Sequence, residues 1–375
     1  MLYIHIPFCK SRCIYCAFHS GIDRSLQEQY VAALQQEIRL QKDFLPSKIL
    51  HSIYFGGGTP SLLTYNQFQQ LFHTIAQYFI IDQDAEITIE CNPDDVTPQL
   101  AAQLAALGVN RVSIGVQSLN NQELALLRRR HTATQAIDAI KQFHQHGIHN
   151  ISIDLMFGLP SQTLSSWEQT LQTAFSLNIS HLSAYNLSIE ENTALSAMIQ
   201  QGTLQECSED NQITMFRMLC QKAKESDFQH YEISNFCKAN QYSRHNTAYW
   251  NNVPYLGIGA AAHSFNGNSR FWNIADTKRY CESLLNEHLC HEQECLSFNE
   301  KYNEMIFTSL RTSNGLNLTL LEQRFGVERR NYCLNEAKKH LERGVLTLKE
   351  DTLKLTFEGI LISNDIMSDL CYIDD

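Results

Sequence analysis

Six short runs of β-branched and apolar residues recur through the first half of the chain: 2–6 (LYIHI), 50–55 (LHSIYF), 86–91 (EITIEC), 111–116 (RVSIGV), 150–156 (NISIDLM) and 181–187 (HLSAYNL). Segments with helical periodicity separate them, at about 25–43, 66–79, 97–107, 121–145 and 165–177. Leu100, Leu104 and Leu107 stand at i, i+4 and i+7, the stripe of a helix face that must be buried. Gly108 and Gly147 fall where such helices should stop. Strands of this length alternating with helices leave little choice of fold class. The chain is α/β, built from βαβ units around a parallel sheet. Six units predict an open barrel or a wound sheet, and in both the C-terminal ends of the strands carry the site.

The alternation ends near residue 230. Residues 229–275 are rich in Asn, Tyr and Gly and promise no long helix. Helices are expected again at 299–312, 317–325 and 331–343, then short strands near 344–348 and 352–357 and a last helix. Three helices with a two-stranded wing resemble a winged-helix module. The expected division is therefore 1–228 for the barrel, 229–295 for a barrel-closing and linking region, and 296–375 for a winged-helix-like α+β module. Lys and Arg number 29 against 40 Asp and Glu, a formal charge of −11, and the basic residues form no continuous stripe. The winged module is thus read as a structural or lid element, with no nucleic acid as partner. No stretch has the roughly 18 apolar residues of a membrane span. The first residues lack the basic start and small-residue cleavage site of a signal peptide. A cytoplasmic location is expected, with peripheral membrane contact left open.

Twelve cysteines are present, and a cytosolic chain keeps most of them reduced. Three crowd into eight residues directly after the first strand: Cys9-x3-Cys13-x2-Cys16. Thiolates are the ligands of iron–sulfur clusters, and a loop this short lets three sulfurs converge on three irons of a cube. The fourth iron then has no protein ligand, as a reactive centre requires. The competing reading is a zinc knuckle with His19 recruited as fourth ligand. Cys281, Cys290 and Cys295, with His288 and His291, fit no familiar metal spacing and are read as solvent-side residues of a polar helical stretch.

Gly56-Gly57-Gly58-Thr59-Pro60 follows the second strand. Without Cβ atoms its backbone can approach a zwitterionic ligand closely, and the Lys of a phosphate-binding loop is missing. Polar residues recur at later strand ends. Glu90 closes the third run, Gln117 follows the fourth, Arg129 falls on the next helix, and Asp154 interrupts the apolar run Ile151 to Phe157. A carboxylate suits ribose hydroxyls, and an arginine fork suits a carboxylate. Buried ion pairs of Glu90 or Asp154 with Arg111 or Arg129 are the plainer alternative. Farther on, His245 precedes Tyr249 and Trp250, offering one iron ligand beside two flat rings. His263 is a second candidate, more readily a pocket or structural residue.

These segments, in this order, resemble radical S-adenosylmethionine (SAM) proteins related to oxygen-independent coproporphyrinogen III dehydrogenase. The likeness spans nearly the whole chain: YIHIPFC at 3–9, FGGGTPS at 55–61, ECNPDD at 90–95, SIGVQSL at 113–119, DLMFGLPSQT at 154–163, YEISNF at 231–236, HNTAYW at 245–250 and GIGAAAHSF at 257–265. The resemblance implies a radical SAM partial (β/α)6 barrel with the C-terminal winged-helix-like module. It implies a [4Fe–4S] cluster on Cys9, Cys13 and Cys16. It implies SAM contacts from Tyr3, Gly57, Gly58, Thr59, Glu90, Gln117, Arg129 and Asp154, with Tyr15 as a further contact. In the haem-chaperone branch of that family the HN-x-x-YW motif is associated with haem, which makes His245 the candidate ligand.

Two features favour that branch. The dehydrogenase pattern has a further cysteine where this chain has Phe18, and it has an extension before the first strand, which here begins near Leu2. Ala17 departs from the acidic residue usual in the chaperone branch. The resemblance thus implies a haem carrier serving apo-haemoproteins, those of respiration foremost, with homodimerisation open and no catalytic side chain assigned. The alternative is oxidative decarboxylation of coproporphyrinogen III.

Overall fold

The computed structural model describes residues 1–373. Strands β1 (Leu2–Ile6), β2 (Ile49–Gly57), β3 (Ile80–Cys91), β4 (Arg111–Gln117), β5 (Asn150–Phe157) and β6 (His181–Asn186) fall on the six expected runs. They pair in parallel, in sequence order, within one twisted sheet. Helices α1 (Gln27–Leu40), α2 (Tyr65–Tyr78), α3 (Pro98–Ala106), α4 (Asn121–Leu126), α5 (Ala133–Gln145) and α6 (Leu164–Ser176) fill the connections. Thr64, Thr132 and Thr163 start α2, α5 and α6 with reciprocal capping boxes, which satisfy backbone donors that the first helical turn leaves free.

The strands alternate, and the alternation decides what each face does. Ile4, Ile53, Phe55, Ile89, Val112, Ile114, Ile151, Ile153 and Leu155 belong to one core packed under the helices. The residues between them, such as Ser52, Tyr54, Glu90, Ser113 and Asp154, point to the opposite, inner face. That inner face is polar, so the strands enclose a site rather than a second apolar core.

Helices α7 (Ala194–Gln200) and α8 (Glu209–Glu225) follow β6; neither is among the expected helices. The segment read as irregular supplies both sheet edges. Strands β7 (Gln229–Glu232) and β8 (Asn235–Cys237) form a hairpin laid antiparallel on β6. After α9 (Arg244–Trp250), strand β9 (Leu256–Ile258) adds in parallel to β1. The nine-stranded sheet ends on β7 and β9, an open partial barrel among the described residues.

Beside it, β10 (His263–Phe265), β11 (Ser269–Asn273) and β12 (His291–Cys295) form an antiparallel sheet, with α10 (Thr277–Leu285) between the last two. This corrects one expectation. Cys281 is buried in α10, whereas Cys295 lies exposed on a strand, so these cysteines do not share a polar helix. The apolar face of α10 packs into the main core and takes Cys281 with it.

The C-terminal module comprises α11 (Phe298–Leu310), β13 (Leu316–Asn317), α12 (Leu318–Glu342), β14 (Leu346–Lys349), β15 (Thr352–Leu355), α13 (Phe357–Leu361) and α14 (Ser363–Leu370). The two helices expected at 317–325 and 331–343 run on from one another across a kink at Gly326, whose φ is +84°. The wing has a third strand, β13, paired with β15. The module has its own core, with Tyr302, Ile306, Leu321, Cys333, Leu353 and Ile366. It docks on the barrel through a two-pronged Arg217–Glu358 pair, at 2.8 and 2.7 Å, and the Arg217 guanidinium lies 5.1 Å from the Phe357 ring.

Candidate cofactor site

A cavity of about 510 Å3 opens at the C-terminal ends of the parallel strands. It brings together Cys9, Cys13, Tyr15, Cys16, Gly57, Gly58, Thr59, Glu90, Gln117, Arg129 and Asp154. These residues come from six separate stretches of the chain, and each is one that the sequence motifs point to. Tyr3 stands apart from them. It lies one layer below, stacked on Tyr54 at 6.1 Å, and opens on a different cavity.

The cysteine loop is held from three sides. Cys9 N–H donates to Gly21 O and Gly21 N–H donates to Pro7 O, at 2.9 and 2.8 Å. Ile14 is buried with Leu127, Met156, Leu159, Leu187 and Leu195. Its amide donates to Leu127 O, and its carbonyl accepts from Leu195 N–H. Three free thiols result at the cavity wall. Thr59 Oγ1 donates to Cys9 Sγ and Arg129 Nη1 to Cys13 Sγ, both at 3.4 Å. Donors placed against two of the sulfurs stabilise thiolate charge, as cluster ligands need. Among the described residues, no three Cys, His, Asp or Glu side chains converge on a point that could hold a single ion. A zinc knuckle asks for such convergence, whereas a cubane spreads its ligands over different irons. His19 also fails the zinc reading, because its Nε2 is paired with Thr277 Oγ1 at 3.1 Å, facing another cavity.

The glycine loop is shaped by close approach. Gly57 has φ +108°, and a Cβ there would sit 2.5 Å from the His5 ring. A Cβ on Gly58 would lie 2.8 Å from the carbonyl oxygens of Ile6 and Phe8. These glycines therefore let the loop lie against the strand that leads to the cysteines, besides baring backbone to a ligand.

Glu90 has both oxygens occupied. Tyr54 O–H donates to Oε1 at 2.8 Å and Gly57 N–H to Oε2 at 3.0 Å. Burial nonetheless lifts its carboxyl to about 7, because desolvation outweighs those two bonds. Burial likewise raises Asp154, which accepts from Ser113 Oγ at 3.2 Å. Neither carboxylate forms an ion pair with Arg111 or Arg129. Gln117 ends β4 in the left-handed region, with φ +66°.

Arg129 does not lie on a helix. The single helix expected over 121–145 breaks between α4 and α5, and Arg128 takes φ +56° in the turn. That turn aims Arg129 at the cavity, where Nη2 donates to Asn92 Oδ1 and Gly115 O, both at 2.6 Å. Its fork ties β3, β4 and the cysteine loop together. Asn92 was not singled out as a site residue, yet its Nδ2 also reaches Thr59 Oγ1 at 3.3 Å. Its place two residues beyond Glu90 was the available signal. Ser113 and Met156 were likewise missed; they flank Gly115 and Asp154 on the same inward face.

His245 lies away from this cavity. It is buried, 1% exposed, on α9. Its Nδ1 pairs with Ser52 Oγ at 2.8 Å and its Nε2 with Tyr249 O–H at 3.0 Å. The backbone amides of Arg244 and His245 donate to Glu86. Burial lowers the imidazole to about 3, so it is neutral.

A profile of the radical SAM superfamily matches residues 3–174, and one of the HemN C-terminal domain matches residues 296–362. The heme chaperone HemW of Bacillus subtilis is 32% identical, over 97% of each chain. The heme chaperone HemW of Mycobacterium tuberculosis is 30% identical, over 98% of this chain and 94% of its own. The mouse radical S-adenosyl methionine domain-containing protein 1, mitochondrial, is 32% identical, over 98% and 86%. In fold the chain is similar to coproporphyrinogen III oxidase HemN of Escherichia coli, at a TM-score of 0.86 and 23% identity, covering 99% of this chain and 89% of that one. The chain belongs to the HemW family of radical SAM proteins. Membership of that superfamily implies SAM and a [4Fe–4S] cluster.

Proposed function

We propose that the chain is a haem chaperone, which binds haem and passes it to apo-haemoproteins. The observation that carries this reading is its likeness to HemW proteins across 97% of both chains. In the proposed site Cys9, Cys13 and Cys16 hold the cluster. Gly57, Gly58, Thr59, Glu90, Gln117, Arg129 and Asp154 surround SAM, with Tyr15 beside the cysteines and Tyr3 supporting from below. Cluster and SAM, when bound, supply one-electron chemistry at the strand ends. The chain's own residues then have separate tasks. Arg129 and Thr59 hold the cysteine loop against the sheet, Glu90 holds the Gly57 amide, and Asp154 offers an acceptor for hydroxyl groups.

His245 is the proposed haem ligand of the HN-x-x-YW helix. Tyr249 must first leave its Nε2, and the neutral imidazole is then the form that binds iron. The proposed acceptors are respiratory apo-haemoproteins, in the cytoplasm or at a membrane surface, and no nucleic acid is involved. Among the described residues, no helix is long and apolar enough to cross a membrane. A homodimer and the division at 228/229 and 295/296 belong to the same proposal; the separate core of the C-terminal module supports the second boundary. Residues 374 and 375 lie outside the described residues.

Titration of the purified full chain with haem tests the reading. A saturable complex at micromolar haem is expected, with a Soret band that changes in His245→Ala. No stable complex would sink it. Formation of protoporphyrinogen from coproporphyrinogen III under anaerobic reduction would favour the dehydrogenase reading instead.

A further inference from the structure

The GIGAAAHSF segment is not used by the cofactor site, yet it is built tightly. A Cβ on Gly257 would lie 2.0 Å from His263 O, and Ser264 Oγ bridges the Gly257 amide and carbonyl at 2.8 and 3.2 Å. Ala261 takes φ +61° to make the turn between. The effect is to fix the His263 backbone against the β9 edge of the main sheet.

His263 stands where two open cavities meet, each of about 390 Å3. One lies between Phe18 and the tyrosines Tyr249 and Tyr255, and the other runs past Trp272. Tyr249 and Tyr255 meet edge to face at 4.6 Å, and the Trp272 ring is 6.3 Å from that of His263. The surroundings are flat and aromatic, as a planar macrocycle requires. Phe18 is 71% exposed and also lines the cysteine cavity, so it forms the wall between the two sites.

Several imidazoles adjoin the first cavity, and their bonding sorts them. His5 Nε2 is paired with His19 O at 2.9 Å and its Nδ1 with Tyr3 O–H at 3.1 Å. His19 Nε2 is paired with Thr277, and His245 is latched behind Tyr249 by its own Nε2. The His263 ring, exposed, has no hydrogen-bond or ion-pair partner among the described residues. Partial desolvation on its cavity side and the nearby Arg270 charge lower its pKa, opposed by Glu294.

We propose that the cavity between Phe18 and Tyr249 is where haem is received, and that His263 supplies an iron ligand there. The inference rests on the haem-chaperone reading and goes beyond it by naming the pocket and a second histidine. An open cavity holds the macrocycle by part of its surface, which suits a ligand that must be passed on. Tyr249 touches both His245 and this cavity, so it stands between the latched histidine and the proposed pocket.

The test is haem titration of the full chain as wild type, His263→Ala, His263→Cys and His245→Ala, with folding checked by circular dichroism. His263→Ala is expected to weaken haem binding at least tenfold and to shift the Soret band. His263→Cys, with its fold intact, is expected to give a thiolate-ligated spectrum. A wild type that binds haem while His263→Ala binds with unchanged affinity and spectrum overturns the proposal and leaves the chaperone reading standing. A wild type that binds no haem overturns both.

Discussion

Single side chains do more than one task in this site. Gly57 bares an amide that Glu90 takes, and its missing Cβ leaves room for His5. Gly57→Ala combines a left-handed φ with a 2.5 Å clash. A cost of at least ~1–3 kcal/mol is expected from the backbone alone. SAM binding by calorimetry should fall tenfold or more, while cluster absorbance after reconstitution persists. Arg129→Lys keeps the charge but not the fork that spans Asn92, Gly115 and Cys13. SAM affinity should drop about tenfold by the same measurement, roughly one lost charge-assisted hydrogen bond.

His245 carries a pH signature. Its folded-state value, about 3, lies below the ordinary 6.5, so its contribution is complete above pH 6.5 and is lost as pH falls toward 3. Denaturant unfolding of His245→Asn should show a shallower acid slope in that window than wild type. The Ser52 and Glu86 contacts of His245 are not legible in the sequence, because they reach it from strands far away along the chain, whereas Tyr249 stands four residues on in the same motif. Cys9, Cys13 and Cys16 were legible because their chemistry is local.

At the scale of elements, α1, the β9 edge and α10 meet on one buried carboxylate. Glu37 accepts from Gly259 N–H at 2.8 Å, Asn273 Nδ2 at 2.6 Å and Tyr280 O–H at 2.5 Å. Burial outweighs these donors and lifts it to about 7 from 4.5. The protonated form is therefore favoured by folding. The contribution is fully present below pH 4.5 and is lost as pH rises through 7, on the order of 3 kcal/mol. Chemical denaturation from pH 4.5 to 8 should show that decline, and Glu37→Gln should flatten it.

Elements were readable where a period or a cap marked them. Runs such as ITIE and ISID alternate because one face meets helices and the other the site, and this placed the strands well. The helical period over 121–145 hides the break before α5 and puts Arg129 on a helix, although Thr132-x-x-Gln135 is a capping box that marks the new start. Strands β8 and β9, of three residues each, are too short to show a period and are defined by their partners.

At the scale of the molecule, one sheet connects two distinct regions. The strand ends gather the thiols and the strand-end carboxylates, and the β9 edge carries His263 beside α9. Phe18, in the cysteine loop, borders both. Phe18, at which the resemblance favours the chaperone branch, is thus the wall between the cofactor site and the proposed haem pocket. The direct measurement is anaerobic incubation of the reconstituted full chain with SAM and reductant, given haem or coproporphyrinogen III, and read by absorption and product analysis. A stoichiometric haem complex with no protoporphyrinogen is the expected result. Protoporphyrinogen formation without a stable haem complex would contradict the account.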